Sequence, residues 1–162
     1  MTAMPIPALE PDDIQRFRAK TKPLDNGCVE WTGAKNSRGY GRFGLKGRTY
    51  FAHRVAYAMS HGSCDPELLV DHKCHNTSCV NAEHLQLVTS QQNSENRFGY
   101  AKGNYSHARG VSWRPEFGCW SVQVGHNGRV HYGGYYKSRR EAVQASLELR
   151  NSLMSNNLMD RT

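Results

Sequence analysis

One stretch, "DHKCHNTSCVNAEHLQLVTSQQN" (Asp71–Asn93), constrains this chain more than any other. Four residues separate Cys74 from Cys79, and another four separate Cys79 from His84. Thiolate and imidazole suit zinc, and structural zinc takes four such ligands. Three are local, so the fourth has to come from elsewhere. Cys28, in "NGCVEW", is the best candidate. A closed site of three cysteines and one histidine would pin the N-terminal segment to the polar loop. His75 could compete as a ligand, and His61 or Cys64 could replace Cys28. Buried thiols can also act as small hydrophobes, but "KCHNTSC" is too polar and turn-prone for a core strand.

His72 has no place in a site already filled by four residues. It stands beside Asp71, after the apolar run Leu68-Leu69-Val70, where a strand is expected. A neutral imidazole next to a carboxylate is a natural general base near neutral pH. Asp71 is a hard oxygen ligand of the kind magnesium prefers, and Asn93 offers a second oxygen. Magnesium needs only one or two protein ligands when substrate phosphate supplies others. Asp71, His72 and Asn93 therefore read as half of a phosphodiester-cleaving site, completed by its substrate.

Charge points the same way. Lys and Arg number 21 against 14 Asp and Glu, a net charge of +7 that attracts polyanions, nucleic acid first among them. Hydrophobic residues are 38% of the chain, lean for a single large core, so a metal staple would help it fold. The five cysteines are an odd number, and "MTAMPIPALEPDDIQ" lacks the apolar core of a secretory signal. No apolar run is long enough to cross a bilayer. The expected setting is a reducing cytoplasm, where clustered cysteines favour metal over disulfide.

Local patterns predict two modules. A short helix is expected over residues 8–22, then short strands through Phe51, then a helix over "AHRVAYAMSHG" that Gly62 stops. Its apolar residues Val55, Tyr57, Ala58 and Met59 read as core. After the polar loop, Leu85–Val88 reads as a strand. Thr89 and Gln92 form a capping-box pattern for a helix from Ser90, with Asn93 and Arg97 on one face. Residues 1–98 make the first module and 99–107 a linker. Residues 108–162 read as three strands, turned at "RPEFG" and "HNG", and one amphipathic helix. Its expected buried positions are Ala142, Ala145, Leu147, Leu149 and Leu153.

The set Asp71-His72, Cys74, Cys79, Asn81, His84-Leu85 and Asn93 resembles the ββα-metal nucleases, specifically HNH homing endonucleases and their His-Cys box relatives. The segment "CVEWTG…GYGRF…AHRVAY" is similar to the region preceding the motif in phage HNH proteins, so the resemblance covers about residues 25–97. It implies an α+β fold: a ββα-metal nuclease domain with a structural zinc on Cys28, Cys74, Cys79 and His84. His72 would activate water and Asn81, the central asparagine, would brace the loop. Asn93, with Asp71, would hold one catalytic magnesium or manganese. Many plain HNH enzymes carry histidine at the last position; Asn93 follows the asparagine variant. Arg54 and Arg97 are candidates to neutralise phosphates, and Arg54 reads equally well as a surface charge.

"RGVSWRPEFGCWSVQV…GRVHYGGYY…REAVQASLEL" resembles the APETALA-type DNA-binding domain, also found fused to phage HNH nucleases. The resemblance implies a three-stranded sheet lying in the major groove of double-stranded DNA. By position its contacts would be Arg109, Ser112, Trp113, Arg114, Trp120 and Gln123. Ser112 stands where plant members often place arginine, so their base preference does not transfer. Trp113 and Trp120 could instead be core aromatics, and an aromatic in an alternating register is one or the other.

The function expected is therefore a homing-type DNA endonuclease. Its rival is a DNA-binding regulator derived from such an enzyme, and an RNA- or structure-directed nuclease stays open. A monomer would nick one strand, whereas a homodimer would bring two sites.

Overall fold

Glu10 and Asp13 form a reciprocal capping box that starts α1 (Pro11–Arg18), with Pro11 preset for the first helical turn. The computed structural model describes residues 4–96 and 103–157. The helix is shorter than the expected 8–22, because Thr21–Pro23 is drawn into strand β1, paired antiparallel with β2 (Val29–Trp31). β3 (Arg42–Leu45) and β4 (Arg48–Phe51) form a second antiparallel pair, and α2 (Ala52–His61) follows directly. β5 (Leu69–His72) and β6 (Leu85–Val88) form a third, and α3 (Ser90–Glu95) comes next. Strand, long polar loop, strand and helix thus occur in the expected order.

The chain divides into two compact units, Met1–Gln91 and Gln92–Thr162. The first is built around Trp31. Phe17 packs on it at 4.9 Å and Phe43 meets it edge-on at 5.8 Å, with Leu45, Ala52 and Val55 buried around them. Gly41 lets the indole in: a Cβ there would lie 2.6 Å from Trp31 Cδ1. Of the expected α2 stripe, Val55 and Ala58 are buried, while Tyr57 and Met59 pack at the edge.

The second unit is an antiparallel sheet in the order β7 (Val111–Arg114), β8 (Cys119–His126), β9 (Arg129–Tyr136), with α4 (Arg139–Leu153) packed on it. Asn127 and Gly128 both take positive φ, 52° and 70°, as a tight hairpin turn demands. Val111, Val122 and Ala142 form the core, with Trp120, Tyr136 and Leu149 packed against it.

Two expectations need correcting here. The most buried stripe of α4 is Ala142, Ser146 and Arg150, while Leu147, Leu149 and Leu153 are only half-buried. Ser146 Oγ and Arg150 Nη1 each donate to the Arg109 carbonyl at 2.7 Å, so polar side chains satisfy buried backbone where leucines were expected. In the expected linker, residues 104–107 are not loose. Ser106 is buried, and its hydroxyl hydrogen-bonds the Val111 carbonyl at 2.7 Å. Among the described residues the fold is α+β, with four α-helices and small sheets. No helix among them is long and apolar enough to cross a membrane.

Candidate metal centre and active site

Main-chain bonds between the start of the chain and the polar loop create the metal centre. The Trp31 N–H donates to the Ser78 carbonyl at 2.8 Å and the Val80 N–H to the Val29 carbonyl at 2.7 Å. This zipper sets Cys28 against Cys79. The potential ligand atoms of Cys28, Cys74, Cys79 and His84 all lie within 4.8 Å of one another. His84 Nδ1 is 3.6 Å from Cys28 Sγ and 3.7 Å from Cys79 Sγ. Bond lengths of about 2.1–2.3 Å around tetrahedral zinc place ligand atoms roughly 3.5–3.8 Å apart, so the set fits that ion. Burial, with the other thiols nearby, pushes Cys74 up to about 12 and raises Cys79 too. Thiolates here are costly unless a dication offsets their charge.

Cys28, rather than His61 or Cys64, completes the cluster. His61 stacks on Tyr57 and bonds its carbonyl at 3.0 Å, and Cys64 belongs to the apolar core. His75 is outside the four-residue group, in a turn with φ of 55°. Asn81 makes contacts of the bracing kind expected of the central asparagine. Its Nδ2 donates to the Gly27 carbonyl at 2.8 Å, and its Oδ1 accepts from the Glu83 N–H at 3.1 Å. It therefore caps the 3₁₀ turn carrying His84 and ties it to the turn before Cys28. That makes it a positioning residue for the metal loop.

His72 ends β5, opposite Leu85 of β6, at the neck of this loop. It is 5% exposed, and its Nε2 lies 3.0 Å from the Cys79 carbonyl oxygen. A carbonyl only accepts, so Nε2 carries the proton and Nδ1 keeps its lone pair. Burial lowers the His72 pKa, opposed by the Cys79 carbonyl and Asp71. The Asp71 carboxylate accepts from the His72 N–H at 2.9 Å and from Gln86 Nε2 at 3.2 Å. A neutral imidazole thus sits beside a carboxylate held by two hydrogen bonds.

Two further rings meet His72 and a third packs on them, and sequence reasoning passed over all three. His53 lies edge-on at 4.8 Å between centroids, Tyr40 at 6.0 Å, and Phe51 stacks on His53 at 5.4 Å. His53 is 6% exposed and its Nδ1 has no hydrogen-bond partner. Burial, then His72 and Arg54, holds its pKa down to about 3. The signal available was the polar residue His53 between Ala52 and Val55 on the buried stripe of α2.

Arg54 is 6% exposed, which decides against a surface charge. Its Nη1 and Nη2 donate to the Leu68 and Asp65 carbonyls at 2.8 and 2.9 Å, clamping the chain that leads into β5. Asn93 is exposed on α3, beyond the division at Gln91. Arg97 lies outside the described residues.

In the second unit, cross-strand register sorts the expected DNA contacts onto two faces. Trp113 pairs with Trp120 and Val111 with Val122, so the tryptophans share the face that α4 covers. Trp120 packs into the core; Trp113, at the sheet edge, stays 44% exposed. Ser112, Arg114 and Gln123 take the opposite face. There Gln123 pairs with Tyr132 and Ser121 with Tyr135, and these tyrosines are 73% and 64% exposed. Arg114 Nε donates to Ser121 Oγ at 3.1 Å, which fixes its direction. Arg109 is spent within the unit, on the Asn157 side chain at 3.4 Å and the Glu95 carbonyl at 3.2 Å. Tyr132 and Tyr135 were missed because "HYGGYY" reads only as a strand.

Comparison with known proteins finds sequence relatives over part of the chain. The chain is 43% identical over 68 residues to Protein 7.7 of Escherichia phage T7, covering 42% of this chain and 52% of that protein. It is 35% identical over 82 residues to Protein 2.8 of the same phage, covering 49% of this chain and 55% of that protein. It therefore spans about half the length of the curated relatives it matches, and their identity does not extend to the whole. No solved structure matches. Residues 50–95, which hold β5, the metal loop, β6 and α3, match the HNH endonuclease family, and together with the phage relatives this supports an HNH-type segment of phage kind.

Proposed function

We propose that this protein is an HNH-type endonuclease that hydrolyses phosphodiester bonds of double-stranded DNA. The observation that carries the reading is the His72 tautomer: Nε2 is committed to the Cys79 carbonyl, which leaves Nδ1 as a base beside Asp71. Nδ1 takes a proton from water, the water oxygen bonds to phosphorus, and the bond to the leaving 3′ oxygen breaks. Asp71 and Asn93 are the proposed holders of one magnesium or manganese ion. When bound, that ion supplies positive charge to the phosphate oxygens and the leaving group. The assignment of Asn93 rests on its place in the motif. Zinc on Cys28, Cys74, Cys79 and His84 is structural in this reading and does not touch the substrate.

The second unit is the proposed DNA reader, with Ser112, Arg114 and Gln123 of its outer face as the contacts, in the manner of an APETALA-type domain. A homing role, pairing cleavage with recognition, is part of this reading, and the host cytoplasm is its proposed setting, which the phage relatives support. Two copies would cut both strands, and one would nick. The second reading is a DNA-binding regulator, favoured by the basic, aromatic outer face alone.

Incubating a plasmid library with wild type and His72→Ala, in magnesium or in EDTA, separates the two. Metal-dependent nicking or cutting lost in His72→Ala supports the enzyme. Salt-sensitive binding without any cleavage by wild type supports the regulator.

A further inference from the structure

We infer that a cavity in the first unit, between the β3–β4 hairpin and α2, is a binding site for a backbone phosphate of nucleic acid. It measures about 240 Å³ and is lined by Met4, Arg42, Thr49, Tyr50, Phe51 and Arg54. The lining holds two guanidinium groups and no carboxylate.

Arg42 is the half-buried, outer part of the site. It pairs with Phe51 across the hairpin, and its guanidinium carbon lies 4.9 Å from the centre of the Phe51 ring. Among the described residues its guanidinium makes no hydrogen bond and no ion pair. Three other cations of this unit do have carboxylate partners: Arg16 on Asp13 at 2.8 Å, Lys35 on Glu30 at 2.9 Å and Lys46 on Glu10 at 2.6 Å. Stacking on an aromatic face fixes the plane of a guanidinium while leaving its N–H fork free for a phosphate. Arg54 is the buried half. Its two terminal nitrogens are used on carbonyls, but Nε is a buried donor with no acceptor. Such a donor costs stability unless a ligand or water satisfies it. Thr49 adds a hydroxyl to the same lining.

Position ties this cavity to the reacting centre. Arg42 rests on Phe51, Phe51 stacks on His53 at 27° between planes, and His53 meets His72 at 4.8 Å. The cation and the proposed base stand at two ends of one ladder of rings. A phosphate held by Arg42 would therefore belong to the backbone flanking the bond that is cut. That last step rests on the proposed nuclease function, whereas phosphate binding itself does not.

The test is duplex binding by the zinc-loaded full chain without added magnesium, followed by fluorescence anisotropy across a salt series. Arg42→Gln keeps a planar group over Phe51 and removes the charge. It should weaken binding about tenfold and lower the salt slope by about one, as expected for one lost phosphate contact. Arg16→Gln, whose charge is already paired, should change neither. Wild-type affinity and slope in Arg42→Gln would overturn the site. A measurement on the wild type guards against a misfolded variant: phenylglyoxal should label Arg42 in the free protein, and duplex should protect it. Labelling that DNA does not reduce, or no labelling at all, would also overturn it. Failure of wild type to cleave in magnesium would sink the nuclease reading and leave this binding result standing.

Discussion

The Cys79 carbonyl oxygen accepts the Nε2–H of His72 at 3.0 Å, while the Cys79 thiol is one of four groups gathered for a metal. In the proposed reading one residue would hold the metal with its side chain and the base with its main chain. Loss of zinc should therefore disable His72 without touching it. Cys79→Ser should lower zinc below the expected one per chain and abolish cleavage. In wild type stripped by a strong chelator, magnesium alone should not restore cleavage, whereas zinc and magnesium together should. Recovery with magnesium alone would show that the two centres are independent.

The choice of fourth ligand separates two buried cysteines. Cys28→Ala should lose zinc and most of the first unit's stability, because metal binding and folding are coupled in such sites. Cys64→Ala removes only one small apolar contact and should cost about 1 kcal/mol with zinc retained. Elemental analysis and thermal melting of both variants check this; zinc retained in Cys28→Ala would exclude it as a ligand.

Arg54 gives a contrast between structure and contact. Its terminal nitrogens satisfy the Leu68 and Asp65 carbonyls where the chain enters β5. Arg54→Met should therefore lower stability by about 2–4 kcal/mol in denaturant unfolding, the cost of buried acceptors left without donors. A purely solvated arginine would cost under about 0.5 kcal/mol.

Local chemistry was legible in the sequence, and the cross-chain relationships were not. Cys74, Cys79 and His84 announced a candidate metal site by spacing alone, since ligands in one loop need little tertiary information. Cys28 could be ranked only by thiol chemistry; the β2 zipper to Ser78 and Val80 is what brings it in. Strand order and the α2 stop at Gly62 followed from periodicity and turn residues. His53 and Arg42 were passed over because their significance lies in which rings they meet, and ring contacts between β3, β4, α2 and β5 have no local signature. Ser146 and Arg150 were passed over for another reason. Their burial answers a carbonyl of Arg109, 37 residues or more away, and no apolar period records that.

The two faces of the second unit's sheet should respond differently to truncation. Trp120→Ala opens the core beside Val111 and Val122 and should cost about 3–5 kcal/mol in stability. Arg114→Ala and Tyr132→Ala should cost under about 1 kcal/mol while weakening duplex binding several-fold. Anisotropy and denaturant unfolding on the same samples make the comparison. Unchanged binding in both outer-face variants would remove that face as the reader.

His53 makes the first unit sensitive to acid. Its folded pKa of about 3 lies below the usual 6.5, chiefly because burial penalises the charged ring. For a group whose folded pKa is depressed in this way, the unfolded chain binds the proton first. Stability is therefore full above about pH 6.5 and falls as pH drops toward 3. At pH 4.5 the difference is about 2–3 kcal/mol from this residue. Acid also protonates the thiolates of the metal centre, so a single melting curve would mix two effects. His53→Phe separates them, because it keeps the ring packed on Phe51 and Tyr40 and removes the titration. The variant should lose about 2–3 kcal/mol less than wild type between pH 7 and pH 4.5 in parallel denaturant titrations. Equal losses would mean that the imidazole takes up its proton without unfolding, and that His53 is open to solvent in the native state.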